Sequence, residues 1–236
     1  MKVRFETTGC RLNQIETESA AKFFLDKSFL VSLDSLISSS PCDNDCVLCV
    51  INTCAVTQKA EQKDRRIIRI VLEKCPNATV VVTGCYAQLA QEKIKAMNER
   101  VAVLPGQLKS RIEGVASLLE QYKNMSFNPI DFAQNLNNNL FAAPSLVLGK
   151  SENPFKLSTD SFLAHSRSSI KIQDGCNNAC TYCAIHLARG KSVSLDVNSV
   201  LERVIQLEKA GQNEVVFTTV NIGHYRGEYN GKYLKF

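Results

Sequence analysis

The chain has 236 residues, of which 44% are hydrophobic and 22% are charged, a composition typical of globular proteins rather than of disordered or fibrous ones. Its formal net charge of +5 permits a nucleic-acid partner without requiring one. No stretch approaches the roughly 18 apolar residues of a membrane-spanning helix, and no apolar signal-peptide core begins the chain. We therefore expect no membrane association and a reducing, cytoplasmic location, where ten cysteines bind metal more often than they pair.

The first 122 residues alternate apolar strand patterns with helical patterns. In chain order the predicted elements are strand 2–8, helix 14–30, strand 29–33, strand 47–52, helix 59–74, strand 78–83, helix 89–99, strand 101–104 and helix 108–122. Such alternation is typical of a parallel sheet, and the continuous Val and Ile runs fit strands that are covered on both faces. We therefore predict an α/β fold in which residues 1–122 form a three-layer domain.

The rest of the chain divides into a connection and a second unit. Residues 123–167 are rich in Asn, Ser and Pro and show no strong period, so we interpret them as a linker between domains. Alternation resumes with strand 168–173, helix 197–210 and strand 214–219. This pattern predicts a second α/β unit over residues 168–236.

Three cysteines, Cys10, Cys54 and Cys85, directly follow predicted strands, and we call them the strand-end cysteines. Because the carboxyl ends of parallel strands lie at one edge of the sheet, where ligands bind, these thiols are expected to converge. Gly9 and Gly84 precede two of them, at points where the backbone turns tightly or approaches another group closely. Three convergent thiols indicate a soft metal ion or an iron–sulfur cluster; the alternative is three small buried hydrophobic side chains.

A second group, Cys176, Cys180 and Cys183, lies in a segment containing Gly and Asn after a predicted strand, and we call its members the loop cysteines. A loop allows three side chains to turn towards one centre. A 4Fe–4S cluster takes four thiolates, so three would leave one iron open for a substrate. The competing interpretation is a zinc site in which His186 is the fourth ligand.

The segment from Cys42 to Cys49 repeats the spacing of the loop cysteines, with Cys46 between them. However, Cys46 and Cys49 belong to an apolar run that we interpret as a strand, where residues an odd number apart point to opposite faces. We therefore expect these three cysteines not to share a site. Cys75 precedes Pro76 at a predicted helix end, and we expect it to have no ligand role.

Several motifs, in the same order along the chain, resemble those of one enzyme family. The stretch GCNNACTYC around the loop cysteines resembles the cluster motif of radical S-adenosylmethionine (SAM) enzymes. The stretches TTGCRLNQIETE, VINTCAVT, VVVTGCYAQ and FTTVNIG are similar to methylthiotransferase motifs. The resemblance covers roughly residues 3–106 and 167–223, and it is closest to the branch that modifies threonylcarbamoyladenosine in tRNA.

This resemblance implies two 4Fe–4S clusters and SAM as cofactors. The strand-end cysteines would bind an auxiliary cluster, and the loop cysteines would bind a second cluster whose open iron chelates SAM. One electron would cleave SAM to a 5′-deoxyadenosyl radical, which initiates insertion of a methylthio group at C2 of the adenine next to the anticodon. Tyr182 would lie along the SAM adenine and Asn221 near SAM, while no catalytic residue is identified.

The implied partners are the tRNA substrate, an electron donor and a sulfur source, and the oligomeric state stays open. The stretch NQIETE at 13–18 favours the threonylcarbamoyladenosine branch. The alternatives are the branch that modifies isopentenyladenosine and the branch that modifies a ribosomal-protein aspartate.

Two segments depart from the family pattern. His186 and Leu187 stand where the family usually has an Ile-Pro pair followed by an aromatic residue, and Thr219 replaces the usual Gly before Val-Asn. Thr requires a negative φ where Gly does not. Both changes concern the SAM pocket rather than the cluster ligands.

The second unit is short for a complete radical SAM barrel. The residues from Ser168 to Phe236 are about a third of the roughly 200 that a (β/α)8 barrel needs. We therefore expect only the first part of an incomplete radical SAM (β/α) barrel, and no methylthiolated tRNA from this chain alone. A non-catalytic iron–sulfur-binding fragment and a zinc-binding RNA-interaction protein are the alternatives from other function classes.

Overall fold

The computed structural model describes residues 1–55, 57–142, 152–159 and 167–235. Five parallel strands form one sheet in the order β2-β1-β3-β4-β5. The strands are β1 (Lys2–Thr7), β2 (Leu30–Ser32), β3 (Cys46–Thr53), β4 (Thr79–Gly84) and β5 (Val101–Val103). Each of the five corresponds to a strand predicted from the sequence, and the parallel α/β fold is confirmed.

Helices cover both faces of this sheet. They are α1 (Arg11–Asp26), α2 (Gln58–Lys74), α3 (Cys85–Leu89), α4 (Gln91–Lys95) and α5 (Ile112–Gln121), the last preceded by a 3-10 turn at Gly106–Arg111. Successive strand residues point to opposite faces, so Val81 packs with α1 and α5 while Val80 and Val82 pack with α2. Two apolar cores therefore sandwich the sheet, in the three layers expected.

A β-bulge near the start of β3 corrects one prediction. Lys2 of β1 pairs with Cys46, but the next residue of β1, Val3, pairs with Leu48, so β3 has one extra residue. Such an extra residue shifts the alternation of side chains between the two faces. Cys46 and Cys49 consequently share a face, with their Sγ atoms 3.5 Å apart, and the prediction that they point to opposite faces is wrong.

Part of the segment interpreted as a linker is helical. Helix α6 (Pro129–Asn135) is capped by Asn128, whose Oδ1 accepts hydrogen bonds from the first turn, and a π-helical turn follows the helix. Phe132 and Leu136 are fully buried in the core beside α1 and α5. So few apolar residues in so short a helix produce no visible period, which is why the sequence did not indicate it; residues 143–151 and 160–166 of the same segment lie outside the described residues.

Residues 168–234 form a smaller α/β unit. Its elements are β6 (Ser168–Lys171), β7 (Gln173–Asp174), α7 (Ile185–Arg189), β8 (Val193–Ser194), α8 (Val197–Lys209), β9 (Val215–Thr218), β10 (Gly227–Tyr229) and β11 (Lys232–Leu234). Strands β6 and β9 pair in parallel and α8 lies between them in the chain, as predicted. None of the helices within the described ranges has the length and the apolar content to cross a membrane.

Candidate metal centre

The strand-end cysteines lie at one edge of the large sheet. Cys10 follows β1 at the start of α1, Cys54 follows β3, and Cys85 follows β4 as the first residue of α3. Strands β1, β3 and β4 are adjacent, so the parallel topology brings three distant positions of the chain to one edge, as expected. Cys10 is exposed, while Cys54 and Cys85 are buried, which leaves the group accessible from one side.

Two glycines allow the backbone to close around these thiols. Gly9 has a φ of +88°, and a Cβ added to it would lie 2.6 Å from Sγ of Cys54. Gly84 has a φ of +103°, and its added Cβ would lie 2.2 Å from the carbonyl oxygen of Thr53. Both positions combine the left-handed conformation with a close approach, so each requires glycine.

Two buried side chains hold the turns that carry Cys10 and Cys54. Nδ2 of Asn13 donates to the carbonyl oxygens of Thr8 and Thr53 at 2.9 and 3.0 Å. Asp64, on α2, accepts from Oγ1 of Thr8 at 2.6 Å and from the backbone N–H of Cys54 at 3.0 Å. Burial raises the pKa of Asp64 to about 6. Each side chain therefore bridges two turns, and sequence reasoning missed both.

A third bridge reaches Cys85. The hydroxyl of Thr53 donates to the carbonyl oxygen of Thr83 and accepts from the backbone N–H of Ala87 at 3.2 Å. Thr53 precedes Cys54, whereas Thr83 and Ala87 flank Cys85. The three turns at this edge are thus tied by side chains as well as by the sheet.

The loop cysteines occupy an irregular segment between β7 and α7, and all three are partly exposed. The backbone N–H of Cys176 donates to Gly190 at 3.0 Å, and that of Cys183 donates to Cys180 at 3.0 Å. Gly175 has a φ of +73°, and a Cβ there would lie 2.1 Å from the carbonyl oxygen of Lys191. The loop is therefore closed on itself by its own backbone, with a glycine at its tightest point.

Gln173 connects this loop to Asn221. Its Nε2 donates to the carbonyl oxygen of Gly175 at 2.7 Å, and its Oε1 accepts from the N–H groups of Val220 and Asn221 at 3.0 Å each. Gln173 is fully buried. A buried amide in the strand before the cysteines was the available signal for it. Tyr182, in contrast, is 90% exposed and takes no part in this arrangement.

A buried network of charges lies between the two cysteine groups. Nζ of Lys171 pairs with Glu16 at 2.8 Å and with Asp174 at 3.0 Å, and Arg189 pairs with Asp174 at 2.9 Å and with Glu16 at 3.2 Å. Lys109 also pairs with Glu16. Burial opposes the charge on Glu16, but these cations hold its pKa well below the usual range. Each charge is paired, as burial requires.

Contacts of α7 join the two groups. Nη2 of Arg189 donates to Oδ1 of Asn13 at 2.8 Å, and Ala188 packs in the core that contains α3. Nε2 of Gln107 donates to the carbonyl oxygen of Leu187 at 3.3 Å. Cys85 and Arg189 line one small cavity. The loop cysteines are thereby held over the edge that carries the strand-end cysteines.

The six predicted ligands are spaced differently from the ligands of a single ion. Within the described part of the chain, the Cys, His, Asp and Glu side chains close enough to share one ion form a single group, and it contains none of the six predicted ligands. In a 4Fe–4S cluster each thiolate binds a different iron, so the thiols stand farther apart than around one ion. His186 is in no such group, and its Nδ1 is buried without a hydrogen-bond partner.

Two family models match the chain. Residues 2–106 match a family described as uncharacterised protein family UPF0004, and residues 170–230 match the radical SAM superfamily. The first range contains the strand-end cysteines and the second contains the loop cysteines.

Curated relatives match nearly the whole chain. The threonylcarbamoyladenosine tRNA methylthiotransferase MtaB of Treponema pallidum is 38% identical over 95% of this chain and 54% of its own length. MtaB of Bacillus subtilis is 31% identical over 94% and 44%, respectively. The tRNA-2-methylthio-N(6)-dimethylallyladenosine synthase of Treponema denticola is 29% identical over 95% and 47%. The chain spans about half the length of the curated relatives it matches.

Proposed function

Because the chain belongs to the radical SAM methylthiotransferase family, we propose that it holds two 4Fe–4S clusters and SAM and contributes them to the methylthiolation of adenosine in tRNA. The observation that carries this proposal is the hydrogen bond from Arg189 to Asn13, because it connects the segment after the loop cysteines to the turns that hold the strand-end cysteines. Two separate three-thiol groups, on segments that this contact joins, suit a reaction in which one cluster activates SAM and the other lies near the acceptor.

Each group has the ligand number that such a reaction needs. Three thiolates from the chain leave one iron of a 4Fe–4S cluster open to another ligand. The loop cysteines would hold a cluster whose chemistry, when it is bound and reduced, is to supply one electron for the cleavage of SAM. Asn221 would contact SAM, and Gln173 fixes its backbone relative to the cluster loop. Tyr182, which is exposed, would lie along the adenine of SAM.

The chain's own residues hold the two groups in place. Asn13 and Asp64 fix the turns of the strand-end cysteines, and Arg189 aligns them with the loop cysteines. We assign the auxiliary cluster to a domain of residues 1–122 and the SAM-binding cluster to the beginning of a radical SAM domain at 168–236. Between them in the chain, α6 and Leu157 pack on the first.

We assign the substrate to threonylcarbamoyladenosine next to the anticodon, modified at C2 of the adenine. Two relatives whose names state this substrate are 38% and 31% identical to the chain, against 29% for the dimethylallyladenosine synthase. The partners are then the tRNA, an electron donor and a sulfur source.

The substrate is tested in the cells that carry the gene. Deleting the gene should remove 2-methylthio-threonylcarbamoyladenosine from tRNA, as measured by mass spectrometry of nucleosides, while other methylthiolated nucleosides remain. Loss of the isopentenyladenosine product alone would transfer the assignment to that branch. Unchanged nucleosides would contradict the proposed function.

Experiments on the purified chain distinguish an enzyme that cleaves SAM from a non-catalytic iron–sulfur-binding protein. After anaerobic reconstitution with iron and sulfide, SAM and a strong reductant should yield 5′-deoxyadenosine. The variant Cys176→Ala should yield none, whereas Cys42→Ala, at an exposed cysteine outside both groups, should match the unmodified chain. A reconstituted chain that binds iron but never cleaves SAM would indicate a non-catalytic iron–sulfur protein.

A further inference from the structure

Three further cysteines meet in the apolar core between the sheet and α2, away from the strand-end and loop cysteines. Cys46 and Cys49 lie on β3 and Cys75 follows α2; we call them the core cysteines. Their Sγ atoms all lie within 4.8 Å of one another, and each residue has 0% exposure. Cys46 begins β3 and Cys54 follows its end, so the strand separates the two sites by roughly 25 Å.

The sulfur positions suit one metal ion. An ion about 2.3 Å from three sulfurs in one plane would hold them about 4 Å apart. The Sγ atoms of Cys46 and Cys49 are 3.5 Å apart, and all three pairs lie below 4.8 Å, so small movements would reach that spacing. A disulfide would need an S–S distance of about 2.05 Å, and each of the three thiols is free.

Local structure is built to bring these thiols together. The bulge in β3 places Cys46 and Cys49 on the same face, which a regular strand would not do. The turn of Cys75 is fixed by Arg100, whose guanidinium donates to the carbonyl oxygens of Cys75, Ala78 and Leu72 at 2.8 to 2.9 Å. The fold therefore holds both ligand-bearing segments in positions that bring the three thiols together.

From this arrangement we propose that the core cysteines bind a single thiophilic metal ion through three thiolates, with monovalent copper as the occupant. Thiolates select soft ions such as Cu(I) and Zn(II). Zinc takes four ligands, and in the described residues no fourth Cys, His, Asp or Glu belongs to the group. Three sulfurs therefore favour the ion that accepts three-coordination.

The surrounding charges offset part of the charge of such a complex, although the carboxyl of Glu6 also lies near Cys75. Cu(I) with three thiolates carries a net charge of −2, and two guanidinium groups, of Arg4 and Arg100, lie close by. Arg4 shares Asp43 with Lys2, at 3.0 and 2.7 Å, so this trio keeps a net positive charge. Binding of Cu(I) by the three thiols would release three protons and would change no oxidation state.

The site is too buried for an ion to enter the finished fold. Metal binding at such a site is coupled to folding. The ion would join the start of β3 to the end of α2, and this role does not depend on the proposed function.

The test therefore loads the metal during synthesis. The full chain is produced in copper-supplemented and in zinc-supplemented cells, purified without oxygen, washed with chelator and analysed for copper, zinc and iron. The unmodified chain and Cys42→Ala should retain about one copper more than Cys75→Ala, with equal iron in all three. X-ray absorption of the unmodified chain should show three sulfur neighbours of copper, a readout that needs no variant.

Equal copper in the unmodified chain and Cys75→Ala, or copper bound mainly by nitrogen and oxygen, would overturn the proposal. If Cys75→Ala does not fold, the X-ray absorption result decides alone. Zinc retained through Cys75 in place of copper would support the three-thiolate site and overturn copper as its occupant.

Discussion

Nη2 of Arg189 donates a 2.8 Å hydrogen bond to Oδ1 of Asn13, although 176 positions of the chain separate the two residues. Arg189 ends the short helix that follows the loop cysteines, and Asn13 holds the turns beside Cys10 and Cys54. Both side chains are buried, so this contact is part of the interior. This hydrogen bond therefore fixes the segment after the loop cysteines relative to the turns that carry Cys10 and Cys54.

Replacing Arg189 should therefore destabilise the protein. Arg189→Met leaves Glu16 and Asp174 with one buried cation fewer, and breaking a buried pair costs about 3–5 kcal/mol. Urea unfolding measures the change in free energy. The control Arg66→Met, at an exposed arginine, should change stability by less than about 0.5 kcal/mol. Equal stability of the two variants would mean that the buried network contributes nothing.

Gly9→Ala should remove the iron bound by the strand-end cysteines. The new Cβ would lie 2.5 Å from Cβ and 2.6 Å from Sγ of Cys54, so the cysteine must move. The matched control is Gly211→Ala, because Gly211 also has a positive φ, +82°, but has no atom within 4 Å of the added Cβ. Iron analysis after reconstitution should show about half the iron in the first variant and full iron in the second. Full iron in both would place the cluster elsewhere.

Asn13→Asp should have a similar effect for a different reason. The carboxylate cannot donate to the carbonyl oxygens of Thr8 and Thr53, and it repels both. The strand-end turns should separate and lose their iron, while the new charge still pairs with Arg189 and the fold persists. Gln14→Glu, one residue along the same helix, is the control and should keep full iron. Circular dichroism checks whether Asn13→Asp is folded. An unfolded variant, rather than a folded one that has lost iron, would count against a role of Asn13 in positioning the strand-end cysteines.

His186→Ala should leave the iron–sulfur absorption spectrum unchanged. A neutral imidazole could complete a four-coordinate site and close it to SAM. No group of potential ligands in the described residues includes His186, and its Nδ1 is buried without a partner. Visible absorption and iron content of the reconstituted variant provide the measurement. A lost or altered spectrum would favour a closed metal site over a SAM-binding cluster.

The sheet and the position of the strand-end cysteines were predictable from the sequence, because parallel strands have strong apolar patterns and their carboxyl ends share an edge. The grouping of Cys46 with Cys49 was not predictable, since a bulge is one inserted residue that leaves the apolar pattern unchanged. The hydrogen bond from Arg189 to Asn13 was not predictable either, because buried polar pairs leave no periodic pattern in the sequence. Helix α6 was missed because few apolar residues mark it.

The proposed function requires two separate clusters, one on each cysteine group, and the iron content per chain measures their number. Anaerobic reconstitution should give about eight iron atoms, the content of two 4Fe–4S clusters, in the unmodified chain. The triple variant at Cys10, Cys54 and Cys85 should retain about four, and so should the triple variant of the loop cysteines. SAM should change the electron paramagnetic resonance spectrum only where the loop cysteines are intact. Loss of all iron from either triple variant, or of none from both, would contradict the assignment of one cluster to each cysteine group.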